Sequence, residues 1–169
     1  MQFRVGLGKK KYRIKPRAEQ KNKFWIGGVE IEDSKYIYDH DASDDASDVI
    51  QLAVADALFG ATALGDGQIV FNKEKTQIPL KGNPRKEAPR ILARTYNFIR
   101  KNWYINNIDI TLEIPSQQKM DDYKHAIFDF ICTALRITEL TINLKVREPL
   151  NSNEISCLAV VLVERQRLK

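Results

Sequence analysis

The run VIQLAVADALFGATAL, Val49 to Leu64, decides the fold. Apolar residues stand at 49, 50, 52, 53, 54, 57, 58 and 59. That recurrence covers most of a 3.6-residue period, so the run predicts a well-buried helix. The helix is interrupted or ended near Gly60, and Gly65-Asp66-Gly67 closes the unit.

The helix is preceded by an unusual acidic stretch, DHDASDDASDVIQL from Asp39 to Leu52, in which DASD occurs twice. Asp39, His40, Asp41, Asp44, Asp45 and Asp48 could together offer oxygen ligands to a hard cation. The segment lacks the spacing and glycine of a dedicated calcium loop. Asp and Ser are also the favoured openers of a helix, and negative charge there suits the helix dipole. Capping in a solvated loop is the favoured reading. HDASD followed by DASDV resembles a small tandem duplication, and four added residues amount to about one helical turn.

Upstream, Phe3 to Gly8 alternates as a strand, and Lys23 to Ile31 reads as a second strand with a kink or bulge at Gly27-Gly28. The polar segment between them is expected to close a hairpin. Downstream, FNKEKTQIPLKGNP (71–84) reads as a loop. Ile91, Leu92, Thr95, Tyr96, Ile99 and Trp103 mark one face of a helix of about 15 residues, with Pro89 in or before its first turn. IDITLEI (108–114) alternates as a strand, and Ser116 to Leu135 is the clearest helix. TINLKV (141–146) and ISCLAVVLVE (155–164) close the sequence as strands. The order β–β–α–α–β–α–β–β predicts an α+β fold, a mixed β-sheet with helices packed on one face, in a single domain over residues 1–169.

Hydrophobic residues make up 43% and charged residues 29%, as in ordinary globular chains. No apolar run reaches membrane-spanning length, and the N-terminus is too short and mixed for a secretory signal. Cys132 and Cys157 lie in apolar runs without CxxC spacing, so buried thiols in a reducing, cytoplasmic compartment are expected. The net charge of +5 comes from residues 9–23, KKKYRIKPRAEQKNK, which hold eight Lys or Arg and one Glu. Such a cluster suits an anion or nucleic acid, but without stacking aromatics it reads better as the solvated face of a hairpin. His125 lies mid-helix in a charged patch and reads as a surface residue.

Three pieces together carry a resemblance: IGGVEI at 26–31, DALFGATALGD at 56–66 and NNIDITLEIPSQQKM at 106–120. They resemble the GGVxI, DALLGAAALGD and GNVDVTIIAQAPKM of the 2-C-methyl-D-erythritol 2,4-cyclodiphosphate synthase family, in the same order. ISCLAVVLV likewise resembles that family's IACEAVALL. The resemblance implies a cyclodiphosphate synthase-like fold and a homotrimer with active sites between subunits. It also implies an intramolecular phosphoryl transfer in isoprenoid precursor synthesis that releases CMP, with zinc and magnesium holding the diphosphate. The metals are needed there because two anionic groups of one molecule must approach each other.

At the metal positions the match fails. The family's GHGFDVHxF corresponds to GLGKKKY, which puts Lys10 and Tyr12 where the resemblance implies zinc ligands. The third position, in the family's HALTDALLG, is Leu52. An ammonium, a phenol and an alkyl group do not make the three-ligand set that catalytic zinc takes. The family's TTTEKLGFTGRGEG loop is shortened to the interval between Lys145 and Ile155, and the Glu of IACEAVALL is Leu158. His40, Asp66, Lys119 and Met120 remain as ligand-binding residues by resemblance. The expected protein has therefore lost zinc-dependent cyclase activity and has no metal cofactor. It keeps self-association and a site for a phosphorylated small molecule or cytidine nucleotide, with Lys9 and Lys11 beside Lys10 adding positive charge. The alternative is an active, divergent synthase using zinc and magnesium through other ligands from the Asp-rich segment.

Overall fold

The computed structural model describes residues 2–18, 23–39, 48–65, 90–115 and 118–166. Its longest strand is β1, Phe3–Pro16, which alternates between a helix-facing side and an open side over 14 residues. Short strands β2 (Trp25–Ile26) and β3 (Val29–Glu30) pair as a small hairpin, and β4 (Tyr36–Tyr38) pairs with the end of β1. Helix α1 spans Val49–Thr62 and helix α2 Ile91–Ile99. Strand β5 (Trp103–Glu113), helix α3 (Asp121–Leu135), a 3-10 turn at Glu139–Thr141, and strands β6 (Ile142–Arg147) and β7 (Glu154–Arg165) complete the order. The main sheet runs β4-β1-β7-β5-β6, antiparallel except for the parallel β5–β6 pair. This is the expected α+β architecture.

Strand register explains how α1 lies so close to the sheet. Gly6 opposes Val161 and Gly8 opposes Ala159, all on the helix-facing side. A Cβ at Gly6 would collide with the Ala57 carbonyl, and one at Gly8 with the Ala53 carbonyl. The absent side chains let the backbone of α1 rest almost on β1, with Ala53, Ala57 and Ala61 at helical spacing along the contact. Further across, the same side of the sheet carries Ile108, Ile110 and Leu112 of β5, all fully buried. Larger side chains thus take over on this side of the sheet away from the glycines of β1.

Several expectations are corrected. Residues 3–8 and 23–31 do not form one hairpin: β1 continues through the basic run to Pro16 and pairs with β7 and β4. Gly27 and Gly28 are not a bulge but a two-residue turn with φ of 60° and 82°, the positive values a tight hairpin needs. Helix α1 does end near Gly60, as expected, running two residues past it to Thr62 and closing at Ala63 in the left-handed region. Trp103 belongs to β5 and not to α2, because Lys101-Asn102 turns the chain and a period-two pattern takes over. Helix α3 starts at Asp121, and Gln118, whose N–H donates to the Pro115 carbonyl at 2.9 Å, precedes it in a turn; Ser116 lies outside the described residues. The loop placed at 71–84, Pro89 and residues 19–22 of the basic segment lie outside the described residues. No helix among the described residues is long and apolar enough to cross a membrane.

Candidate functional site

Lys10 and Tyr12 share the helix-facing side of β1, two residues apart, and Leu52 stands one turn before Asp56 on α1. Register therefore brings together the three positions where the resemblance implies metal ligands. What fills them is different chemistry. Lys10 Nζ lies 2.6 Å from Asp56 Oδ2, with the two side chains only 19% and 22% exposed. The Tyr12 ring meets Tyr38 edge-on at 5.5 Å between centroids. Leu52 packs against the hydrophobic core. A zinc ion does not fit this set: the ammonium repels it, and neither the tyrosine in its aromatic contact nor the leucine replaces a histidine.

Tyr38 closes the floor of this region. Its ring lies 4.7 Å from Phe24, and its hydroxyl donates to the Trp25 carbonyl at 3.0 Å and accepts from the Val49 N–H at 3.4 Å. Burial raises its phenol well above the ordinary range, and the nearby Asp48 carboxylate raises it further. It stays neutral.

Asp48 is fully buried and has no spare capacity for a cation. Its carboxylate accepts from the N–H of Gly27 (2.8 Å), Gly28 (2.6 Å) and Gln51 (3.1 Å), and from Gln51 Nε2 (3.0 Å). It caps α1 and ties that helix to the β2–β3 turn, a role for which an N-cap alone is worth about 1 kcal/mol. The capping reading of the acidic stretch holds at this residue. Asp39, at the other end, pairs with Lys15 at 2.9 Å. His40, Asp41, Asp44, Asp45 and Asp66 lie outside the described residues.

Lys9 and Lys11 do not reinforce Lys10, contrary to expectation. A strand alternates its side chains, so both project from the open face of the sheet while Lys10 faces α1. Lys11 is paired there with Glu154 at 2.6 Å.

A groove of about 310 Å³ lies between the end of β5, the start of α3 and the end of β6. Lys119, Met120, Lys124, Arg147 and Glu148 are among its lining residues. Met120 is buried and Lys119 exposed, so the sequence-identified pair meets here as floor and rim. Buried Gln118 fixes the loop: its Oε1 accepts from the Lys35 N–H at 3.2 Å, and its Nε2 reaches the Lys119 carbonyl and Asp33 at 3.5 Å. Lys124 is paired with Asp121, whereas neither Lys119 nor Arg147 has an ion pair among the described residues. Gln118 and Arg147 escaped the sequence reading. Arg147 is the last residue of β6, paired in parallel with Glu113 of β5, a pairing that sequence alone does not reveal.

The model of the YgbB family matches residues 3–164. The chain belongs to the YgbB family. Relatives of this YgbB-family chain include the MG459 homolog of Mycoplasma pneumoniae, 99% identical over 169 residues and covering 100% of both chains. The 2-C-methyl-D-erythritol 2,4-cyclodiphosphate synthase of Clostridioides difficile is 35% identical over 144 residues, covering 85% of this chain and 81% of its own. Among solved structures, the Plasmodium falciparum IspF–CDP complex superposes with a TM-score of 0.75 at 26% identity, covering 98% of this chain and 97% of that one.

Proposed function

We propose that this YgbB-family protein has given up zinc-dependent cyclisation and holds a phosphorylated small molecule, a cytidine nucleotide, as a homotrimer. The observation that carries the reading is the Lys10–Asp56 ion pair at the implied metal position. A divalent ion bound by one carboxylate and two imidazoles leaves net positive charge to face a diphosphate. An ammonium already neutralised by Asp56 leaves none. Two phosphate groups of one substrate would therefore repel each other here with little to offset it, which argues against the family's ring closure in isoprenoid precursor synthesis.

Binding places smaller demands on the site than catalysis. The groove beside Lys119 and Arg147 offers two cations without ion-pair partners among the described residues, enough to accept one phosphate by charge-assisted hydrogen bonds. The Plasmodium falciparum relative was solved with CDP, which supports a cytidine nucleotide as the ligand class. Self-association is supported by the open face of the sheet, where Phe3, Val5 and Leu7 are 49%, 65% and 63% exposed and Leu158 lies nearby on β7. Apolar side chains grouped on an uncovered sheet face suit burial against another copy.

The test is direct. The purified protein is incubated with the family's cytidine diphosphate substrate, zinc and magnesium, and CMP is measured. CDP is titrated calorimetrically in parallel, and mass is taken by light scattering. CDP binding by a trimer without CMP release is the expected result. Release of CMP that a chelator abolishes would overturn the reading, as would the absence of any CDP binding.

A further inference from the structure

Away from the groove, the later turns of α3 and the 3-10 turn that follows bring a different set of groups together. His125 and Asp129 stand at i and i+4 on α3, with Nε2 and Oδ2 3.5 Å apart. Arg136 adopts the left-handed conformation at the end of the helix and turns the chain back, so that Glu139 arrives beside them. One ligand atom from each of His125, Asp129 and Glu139 lies within 4.8 Å of the others. We propose that this set is a divalent transition-metal site, suited to zinc or manganese, that is separate from the position where the family resemblance implies metal.

Charge and ligand chemistry both favour it. Two carboxylates brought this close repel, and the local cations are committed elsewhere: Lys124 pairs with Asp121, and the Arg136 guanidinium lies over the Tyr96 ring. The His125 imidazole stands beside them, 3.5 Å from Asp129. One imidazole nitrogen and two carboxylate oxygens form a donor set that zinc, manganese and similar ions accept, with water completing the shell. The i, i+4 spacing holds two ligands on one face of a rigid helix, so only Glu139 has to adjust. All three side chains are exposed, which gives the ion an open route. A bound ion would clip the 3-10 turn onto α3 and bridge residues that strand β6 then follows.

The test uses the full protein, stripped with a chelator and desalted. Zinc chloride and manganese chloride are titrated into wild-type protein and into His125→Ala and Glu139→Gln variants. Because the side chains are exposed, both variants should keep the wild-type melting temperature without metal. Wild-type protein should bind one ion per chain, and each variant should weaken binding by more than about tenfold. At a hundredfold excess over the dissociation constant, zinc should raise the wild-type melting temperature by about 5–10 °C. No binding by the wild-type chain would overturn the proposal, and so would zinc binding that both substitutions leave unchanged. Neither result bears on nucleotide binding in the groove, so this proposal and the proposed function fail independently.

Discussion

Replacing Lys10 with Met removes the ammonium while keeping a long apolar stem between β1 and α1. At 2.6 Å the attraction between Lys10 and Asp56 is about 6 kcal/mol at an effective dielectric of 20, before the cost of desolvation. Both side chains keep about a fifth of their exposure, so the pair lies between two measured regimes. Exposed pairs are worth about 0.2–1 kcal/mol, and loss of one partner from a buried pair costs about 3–5 kcal/mol. Lys10→Met should therefore destabilise the protein by about 1–3 kcal/mol, mainly by leaving the Asp56 carboxylate half-buried and alone. Asp56→Asn should cost a similar amount. The double variant should cost less than the sum, with a coupling of about 1–2 kcal/mol. Urea unfolding at one fixed protein concentration measures all four corners of the cycle, since self-association would otherwise shift the apparent stability. A coupling below about 0.5 kcal/mol would refute the reasoning, because the ammonium would then be a surface charge and not a replacement at the metal position.

Converting Lys10→Asp, Tyr12→His and Leu52→His together should create zinc affinity that the parent lacks at this position, read by calorimetry in a His125→Ala background. Gly8→Ala should cost about 3 kcal/mol or more by driving a methyl group into the Ala53 carbonyl, whereas Gly60→Ala, with open space around it, should stabilise α1 by up to about 1 kcal/mol; urea midpoints separate the two. Cys157 is buried and its thiol is pushed far up, by burial first and then by Asp48, while half-buried Cys132 is raised less strongly. A thiol reagent at pH 8 should therefore modify Cys132 slowly and Cys157 only after unfolding, as counted by mass spectrometry. Asp109 is held below the ordinary carboxylate range by hydrogen bonds from Lys145 and then Asn143. Its folded value lies below its unfolded one, so it contributes stability above about pH 4 that is lost as pH falls through the folded value. The gap between wild-type and Asp109→Asn in urea midpoint should be small at pH 7, because the pair is exposed, and should close on acidification.

The helices and long strands were legible because periodicity records burial directly. VIQLAVADALFGATAL could only be a core helix, and IDITLEI only a strand with one face covered. The errors fall where a local pattern is overridden by its partner. Strand β1 runs through KKKYRIKP because β7 offers it a register from Phe3 to Arg13, and no propensity within that basic run signals a partner some 150 residues away. Trp103 suited the helical face of α2 equally well until the Lys101-Asn102 turn assigned it to β5.

The same limit separates what could be read of the site from what could not. That Lys10, Tyr12 and Leu52 occupy implied metal positions needs only alignment of short motifs, and strand and helix geometry then makes them neighbours. Whether Lys10 is a free phosphate-binding charge or half of an ion pair depends on Asp56, 46 residues later, and on two glycines that bring α1 close enough for the contact. Gly6 and Gly8 lie in the same GLGKKKY run as the replaced positions, and their register relative to Lys10 explains the outcome. Positions 6, 8 and 10 share one face, so alternation aims Lys10 at the helix and the close approach that the glycines permit brings Asp56 within its reach. Lys9 and Lys11, adjacent in sequence, are excluded by the same alternation. The triple lysine that suggested a concentrated positive pocket therefore supplies one charge to the interior, and Asp56 neutralises it there.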